Sequence, residues 1–367
     1  MSILVTIATF KQANTAYFLK EKLEKEKIEC FFTKRRSTEG PWGEVSVQVR
    51  DFAVEKAIKI MLGIREEYGK DIDQIEPANL TRKILVPTDF SVGSEYACQY
   101  AIHLAQRIKG EIKLLHVFEN PVINLGIKET ATYQDYLQTS LAETERRAHQ
   151  QILDFSQRMK VYMDTMNIQD VRIHSSLVMG GILAGIKDMA GIYMPDFIVL
   201  GTVSSSGKSE SVFGGLADAL IHGLDIPLYA ISGPCSRKDF EKVNILYATD
   251  FNEKDHDSLE RLLNIVEPFD KKISCIHIDT AQSPAKSERM DELNVQLKKE
   301  YGQYDIQCML IEDRNVFHGI ESFAGSYNIN LLSFTVHKRG IFEKLFKPNL
   351  FKKILQESNL PILLFPS

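Results

Sequence analysis

Two stretches of the sequence place an acidic residue directly after an apolar, strand-like run. The first, KILVPTDFS at residues 83–91, ends around Asp89, and the second, NILYATDF at 244–251, ends around Asp250. At the carboxyl end of a parallel strand, such a carboxylate can accept hydrogen bonds from a ribose or an adenine amine. Asp and Ser in this position also cap helices, so both roles are open for Asp89.

A glycine-containing loop, VLGTVSSSGKSESVFGG at residues 199–215, follows another strand-like run. Gly201 ends the run, and Gly214–Gly215 stand just before the helix predicted from Leu216. Backbone N–H groups in such a loop can hold a phosphate, and the dipole of the following helix favours the anion. A flexible surface loop is the alternative interpretation.

Two other predicted strand ends carry weaker signals. The run ending at Met179–Gly180 places a glycine where a backbone can approach a ligand closely. The run ending at His116–Val117 holds a single histidine between apolar neighbours, which is typical of a hydrogen-bonded packing residue. We therefore assign His116 no catalytic role.

Catalytic motifs are missing from the sequence. It contains no GxxxxGK[ST] loop, no HExxH, no GxSxG and no carboxylate cluster for two metal ions. The sequence also lacks HxGH and SGGxDS, two motifs with which some enzymes of α/β fold form adenylates. An enzyme needs a nucleophile, an acid–base pair or a metal within reach of one another. The sequence thus favours binding over catalysis.

The elements that carry these residues occur twice along the chain. The same number of residues separates Asp89 from Asp250 and His116 from His277. Each copy alternates strand and helix, which predicts a doubly wound parallel sheet of five strands. We predict strands at 83–88, 112–118, 170–177, 196–201 and 227–231 in the first copy and at 244–249, 272–278, 305–311, 329–335 and 361–365 in the second.

Residues 1–70 stand outside the repeat. Their pattern predicts a small α+β domain in the order β-α-β-β-α, and the polar stretch 71–81 is predicted to be a linker. Trp42, within GPWGE, is either an exposed contact residue or a plug at a domain junction. The domain boundaries expected are therefore 1–70, 71–81, 82–233 and 242–367.

Composition narrows the class of protein. The chain has 367 residues, 44% hydrophobic and 25% charged, with a formal net charge of −5, so a dedicated nucleic-acid binder is disfavoured. Five scattered cysteines without CxxC spacing favour a reducing compartment and a buried apolar role. No apolar run is long enough to cross a bilayer, and the N-terminus does not resemble a signal peptide. We expect a cytoplasmic protein.

Together, KILVPTDFS, LLHVFE (114–119), the loop at 199–215 and IPLYAIS (226–232) resemble the universal stress protein family. The resemblance covers residues 82–233 well and 242–367 less well. It implies two Rossmann-like universal stress protein domains in tandem, paired through their last strands as an internal pseudo-dimer. Whether two chains also form a homodimer is left open. Residues 1–70 resemble, more faintly, a small βαββα domain of bacterial signal-transducing proteins.

The resemblance implies an ATP- or AMP-type nucleotide in the first copy. The contacts that it implies are Pro87, Thr88, Asp89, Val117, Met179, Gly180, Gly201, Ser204, Gly214, Gly215 and Leu216. The family's loop has Gly, Gly, Gly and a hydroxyl residue at positions 201, 204, 214 and 215. Here Ser204 replaces a glycine and Gly215 replaces a hydroxyl. Two such losses, at about 1 kcal/mol each, weaken binding by about ten- to a hundredfold.

The second copy departs further, and we expect no nucleotide there. Its four loop positions are Phe334, His337, Pro348 and Asn349, and Glu312–Asp313 stand where the first copy has Met179–Gly180. Proline has no N–H to donate. A basic stretch, residues 337–353, is either a solvated face or a surface for an anion or an acidic partner.

Three functions follow from these patterns. The first is a stress-associated signalling or binding protein that holds at most one nucleotide and acts through protein partners. The second is a slow ATPase or ATP-dependent switch centred on Asp89 and the loop. The third is a ligand-free scaffold that uses the N-terminal domain for interaction.

Overall fold

A computed structural model describes most of the chain, namely residues 4–10, 13–35, 44–68, 82–119, 131–202, 212–251, 253–280, 284–336 and 360–366. The chain divides into two compact units, Met1–Thr81 and Arg82–Ser367. Four features of the sequence lie outside the described residues: Trp42, the linker 71–81, Ser204 and the basic stretch 337–353.

The first unit is a three-stranded antiparallel sheet with two helices. Its elements are β1 (Leu4–Phe10), α1 (Ala13–Lys25), β2 (Cys30–Arg35), β3 (Glu44–Arg50) and α2 (Val54–Tyr68). The strand order is β1-β3-β2. Alternate residues of β3, Val47 and Val49, are fully buried against Leu19 and Leu23 of α1, as expected for a sheet with one covered face.

The second unit alternates strands and helices along its length. Its first half contains β4 (Lys83–Pro87), α3 (Val92–Ile108), β5 (Glu111–Phe118), α4 (Ala131–Thr165), β6 (Arg172–Met179), α5 (Ile182–Tyr193), β7 (Phe197–Gly201), α6 (Val212–Gly223) and β8 (Leu228–Ile231). Its second half contains β9 (Lys242–Ala248), α7 (Glu253–Val266), β10 (Asp270–Asp279), α8 (Pro284–Tyr301), β11 (Ile306–Glu312), α9 (Val316–Ser326), β12 (Leu331–Val336) and β13 (Ile362–Pro366).

All the strands of this unit join one ten-stranded sheet, in the order β11-β10-β9-β12-β13-β8-β7-β4-β5-β6. The α/β class with a large parallel sheet is therefore confirmed. Two five-stranded sheets are not separate, however, because β8 and β13 pair with each other. Both strands are apolar and almost wholly buried, and their pairing removes two edges that would otherwise be exposed.

The β8–β13 junction is the one antiparallel pairing among the described strands of this sheet, with Ala230 opposite Ile362 and Leu228 opposite Leu364. The strands within each half run parallel. The strands of the two halves consequently run in opposite directions. The carboxyl ends of β4–β8 therefore lie at one edge of the sheet, and those of β9–β13 lie at the opposite edge.

Strand register corrects one correspondence between the two halves. Ile84 pairs with Phe197 in the first half, and Ile245 pairs with Leu331 in the second. Counting on from these pairs, the counterpart of Gly201 is Thr335 and not Phe334. Side chains alternate between the faces of a strand, so a shift of one residue exchanges a site-facing position for a core-facing one.

Helices cover both faces of the sheet. One face packs on α3, α4, α7 and α8 through a cluster that includes Tyr100, Phe155, Leu262 and Leu297, and the other packs on α5, α6 and α9. Parallel strands that are covered on both faces become continuous apolar runs, which explains why the sequence revealed them. Across the described residues, no helix is both long and apolar enough to cross a membrane.

Candidate functional site

The turn after β4 is held by Asp89 and two serines. One carboxylate oxygen of Asp89, Oδ1, accepts the N–H of Ser91 at 3.0 Å and the hydroxyl of Ser94 at 2.6 Å. Ser94 Oγ in turn accepts the N–H of Asp89 at 3.1 Å. Ser91 is the N-cap of α3, and its side chain accepts the N–H of Ser94. Asp89 therefore shapes the turn but does not cap the helix.

The second carboxylate oxygen of Asp89, Oδ2, has no hydrogen-bond partner among the described residues, and the residue is exposed. The buried Thr88 donates its N–H to Leu115 O at 2.8 Å, and Pro87 pairs with the same residue. This pairing fixes Asp89 beside the end of β5. An anchored aspartate with one free, solvent-facing oxygen is suited to accept hydrogen bonds from a hydroxyl or an amine.

Phe90 adopts a left-handed backbone conformation, with φ at 64°. Such a conformation is uncommon for a bulky residue and carries strain. The turn holds it in two ways: Thr88 Oγ1 accepts the N–H of Phe90 at 3.0 Å, and the Phe90 ring lies 4.3 Å from the His116 ring. His116 Nδ1 donates to the carbonyl of Thr88 at 2.8 Å. The histidine thus positions the turn, as the sequence pattern indicated.

The ends of β5 and β6 lie next to this turn. Val117 pairs with Val178, and the N–H of Gly180 donates to Phe118 O at 3.0 Å. Gly180 has φ at 150° and open space where a side chain would stand, so its backbone is accessible. Met179 is 49% exposed, which leaves an apolar surface at the rim.

Gly201, at the end of β7, has a packing role that the sequence did not reveal. A Cβ at this position would lie 2.2 Å from the carbonyl oxygen of Gly93, in the first turn of α3. Only glycine fits such an approach, because real Cβ contacts are much longer. The end of β7 therefore packs directly on the helix that follows the Asp89 turn.

Gly214 and Gly215 lie inside α6, which begins at Val212. The predicted start at Leu216 is thus wrong by about one turn, because the glycine pair was interpreted as part of the loop. The first four N–H groups of a helix have no partner within the helix, and these glycines lie in that first turn. Gly215 has open space around it, whereas Leu216 is buried in the core.

The corresponding turn in the second half has the same architecture. Phe251 has φ at 63°, Thr249 Oγ1 accepts its N–H at 3.0 Å, and its ring lies 4.6 Å from His277. His277 Nδ1 donates to Thr249 O at 2.8 Å. The displacement seen in the sequence therefore corresponds to a repeated local structure.

Asp255 stands in the second half where Ser94 stands in the first. Its Oδ2 accepts the N–H of Asp250 at 3.0 Å and the hydroxyl of Thr249 at 2.7 Å. A buried carboxylate thus replaces a neutral hydroxyl beneath the turn. Ser94 and Asp255 are separated by the same number of residues as Asp89 and Asp250. Their residue types differ, however, so the sequence repeat alone did not point to them.

In the first half, β7 approaches α3 closely. The corresponding region of the second half contains two hydroxyl groups, those of Tyr247 and Thr335. Tyr247 Oη donates to the carbonyl of Asp255 and lies 2.9 Å from Thr335 Oγ1, so the threonine hydroxyl donates to the tyrosine. Both side chains are buried. Thr335 therefore places a buried, hydrogen-bonded hydroxyl where the first half has Gly201 and no side chain.

Charged side chains gather at the ends of β10 and β11. Asp279, only 1% exposed, pairs with Lys286 of α8 at 2.8 Å. Asp313 pairs with His318 at 2.6 Å, and the hydrogen bond from His318 holds the pKa of that carboxyl below its usual value. Within the described ranges, no set of three or more His, Cys, Asp or Glu is arranged to hold a metal ion.

His277 is more deeply buried than His116, its counterpart in the first half. His277 is 2% exposed, and its Nε2 is buried without a partner among the described groups. Burial lowers the pKa of His277 below its usual value, so the ring is neutral at physiological pH. A neutral, sequestered ring supports a structural role for His277.

The family comparison locates the first half of the large unit. The sequence model of the universal stress protein family matches residues 81–232. These residues form a universal stress protein domain. The domain contains β4 to β8 and every residue of the Asp89 turn.

Individual universal stress proteins are also similar to this chain. A universal stress protein of Methanocaldococcus jannaschii is 24% identical over 157 residues, which span 42% of this chain and 85% of that protein. The crystal structure of a universal stress protein from Archaeoglobus fulgidus matches with a TM-score of 0.54 at 15% identity, covering 77% of this chain and 97% of that one. At this identity the likeness shows the fold. A further structure, of a universal stress protein in complex with cAMP, has a TM-score of 0.24 at 16% identity and covers 37% of this chain and 83% of that one.

Proposed function

We propose that the universal stress protein domain binds one adenine nucleotide, ATP or AMP, at the carboxyl edge of β4, β5 and β7, and that the protein signals through protein partners. The observation that carries this proposal is the anchored Asp89, whose Oδ1 holds the turn while its Oδ2 has no partner among the described residues. It lies after β4, between β5 and β7. Ligands of open α/β sheets bind where the strand order reverses in this way.

The residues around Asp89 fit such a ligand. Asp89 Oδ2 accepts from a ribose hydroxyl or the adenine amine, and the backbones of Thr88 and Val117 border the base. Met179 offers an apolar contact, and Gly180 leaves open space beside it. The unpaired N–H groups in the first turn of α6, with Gly214 and Gly215, face the phosphates. In this proposal Gly201 and Leu216 support the site through packing, and Ser204, which lies outside the described residues, stays a predicted contact.

The second half is proposed to be a degenerate universal stress protein domain, residues 242–367, that holds no nucleotide. Its strand order and its Thr–Asp–Phe turn support the relationship. Asp255 beneath the turn and the acidic pair Glu312–Asp313 at the end of β11 oppose a phosphate by charge. Lys286 and the buried Asp279 occupy the end of β10. The two halves then form an internal pseudo-dimer through β8 and β13.

The test is equilibrium binding of ATP and AMP to the full chain, with Asp89→Asn as the decisive variant. Asn keeps an oxygen to accept from Ser91 and Ser94 but replaces the free oxygen by an amide donor. We expect one site per chain, with the affinity falling at least tenfold in the variant, since hydrogen bonds to charged groups contribute about 1.5–3 kcal/mol.

Asp250→Asn is the matched control, because it makes the same change in the repeated turn, and it should leave the affinity unchanged. Absence of saturable binding at millimolar nucleotide would overturn the proposal, and two sites per chain would overturn the assignment of the second half. Multiple-turnover phosphate release that Asp89→Asn abolishes would replace a binding protein by a slow ATPase.

The proposal extends to the cell compartment. All five cysteines are free thiols, which agrees with a reducing, cytoplasmic setting.

The first unit, Met1–Thr81, is proposed as the interaction module. Deleting it should abolish partner capture while leaving nucleotide affinity unchanged.

A further inference from the structure

Cys275 and Cys308 lie directly opposite each other on neighbouring parallel strands. They are register partners in β10 and β11, so their side chains project to the same face of the sheet. Both pack in the cluster beneath α7 and α8, beside Leu293, Leu297 and Tyr301. This pairing could not be predicted from the sequence, because 32 residues, including helix α8, separate the two cysteines along the chain.

The strand spacing matches the requirement for a disulfide. Neighbouring strands lie about 4.8 Å apart, within the range of about 4.4–6.8 Å between the Cα atoms of bonded cysteines. A disulfide also needs Cβ atoms about 3.8 Å apart, so a small shift of one strand is required. In the described sheet β11 is the terminal strand, so a small shift of β11 disturbs its pairing with β10 and no other strand pairing.

The two thiols are unequal in exposure and acidity. Cys275 is buried, at 1% exposure, whereas Cys308 is only half-buried. The hydrogen bond from Cys275 lowers the pKa of the Cys308 thiol, and the positive charge of Lys298 lowers it further. The same interaction raises the pKa of Cys275. Cys308 is therefore the thiolate that a small oxidant reaches first.

We propose that Cys275 and Cys308 form a peroxide-sensitive dithiol, which closes reversibly to a disulfide that ties β11 to β10. The Cys308 thiolate attacks hydrogen peroxide, giving a sulfenic acid and hydroxide, which takes up the thiol proton as water. The Cys275 thiol then attacks that sulfur and releases a second water. In sum, two thiols and one peroxide give one disulfide and two waters, with two electrons passing from sulfur to peroxide. A small dithiol reductant restores the pair by exchange.

The test treats the reduced full chain with hydrogen peroxide and then labels the remaining thiols with N-ethylmaleimide in denaturant. We expect the labels to fall from five, one for each cysteine, to three, and to return to five after dithiothreitol. Tryptic digestion without reductant should then join peptide 273–286, which holds Cys275, to peptide 300–314, which holds Cys308.

Two variants separate this pair from general oxidation. Cys308→Ser should keep Cys275 fully labelled, whereas the half-buried Cys235→Ser should still form the linked peptides. Peptide mapping of the wild-type chain decides the matter even if a variant fails to fold. The proposal is overturned if both peptides stay reduced while other thiols oxidise, or if either cysteine is joined to a different one.

Discussion

Ser94 and Asp255 occupy equivalent positions beneath the two repeated turns, and each accepts the backbone N–H of the aspartate at the turn, at 3.1 Å and 3.0 Å. A neutral hydroxyl supports Asp89, whereas a carboxylate supports Asp250. This position therefore carries a different charge beneath the two turns, and in the proposed function that difference lets the first turn, and not the second, receive an anionic ligand.

Ser94→Asp should transfer this repulsion to the first half. We expect the affinity for ATP to fall at least tenfold, because a second carboxylate then lies beside Asp89, while the chain still folds, as the second half does with the same residue. Isothermal titration measures the change. Ser94→Asn, which adds similar bulk without charge, should bind within about threefold of wild type. Unchanged affinity in Ser94→Asp would show that the charge at this position does not matter.

The approach of β7 to α3 makes Gly201 sensitive to a single methyl group. Gly201→Ala places a Cβ 2.2 Å from Gly93 O, and we expect it to lower the free energy of unfolding by about 3 kcal/mol or more. Gly191→Ala is the matched control, since Gly191 lies in α5 with open space around it. It should stabilise the chain by about 0.5–1 kcal/mol. Urea denaturation compares the two, and equal stabilities would contradict the close packing.

The hydroxyl chain of the second half predicts coupling between Tyr247 and Thr335. Removing either hydroxyl, by Tyr247→Phe or Thr335→Val, should cost about 1–2 kcal/mol because a buried partner is left unsatisfied. The double variant should cost less than the sum of the two. A double-mutant cycle measured by chemical denaturation gives the coupling, and strict additivity would mean that the hydrogen bond contributes nothing.

Stability should depend on pH through the buried His103. Burial lowers its pKa below the usual value, and its Nε2 lies 2.9 Å from Tyr162 Oη. Burial also raises the pKa of Tyr162 to about 12, so the hydroxyl stays protonated and shares a hydrogen bond with the neutral ring. The unfolded chain then binds more protons, and the stability present above about pH 6.5 is lost as the pH falls.

Urea titrations between pH 7.5 and 5.5 check this sign. His103→Gln should reduce the slope of unfolding free energy against pH by at most about 1.4 kcal/mol per unit. If His103→Gln leaves the slope unchanged, His103 makes no contribution to the pH dependence.

The fold was largely readable from the sequence because its strands are unalternating apolar runs. The place of Asp89 followed from an acidic residue directly after an apolar run, and the packing role predicted for His116 followed from its apolar neighbours. What the sequence did not show was set by contacts between distant segments: the approach of Gly201 to Gly93, the pairing of Cys275 with Cys308, and the register that matches Gly201 to Thr335. The start of α6 was misjudged for a local reason, because glycines in a first helical turn resemble a loop.

The antiparallel β8–β13 junction has a consequence for how the two halves can evolve and act. Because it turns the second half's strands end for end, a molecule at the Asp89 edge and one at the Asp250 edge cannot compete for the same surface. In the proposal that the second half is a degenerate universal stress protein domain, its position in the same chain as the first frees the halves from the identity that a symmetric dimer imposes on its subunits. One edge can keep the residues proposed to bind a ligand while the other changes its charge. A single molecule can then carry two different binding surfaces on opposite edges of the sheet.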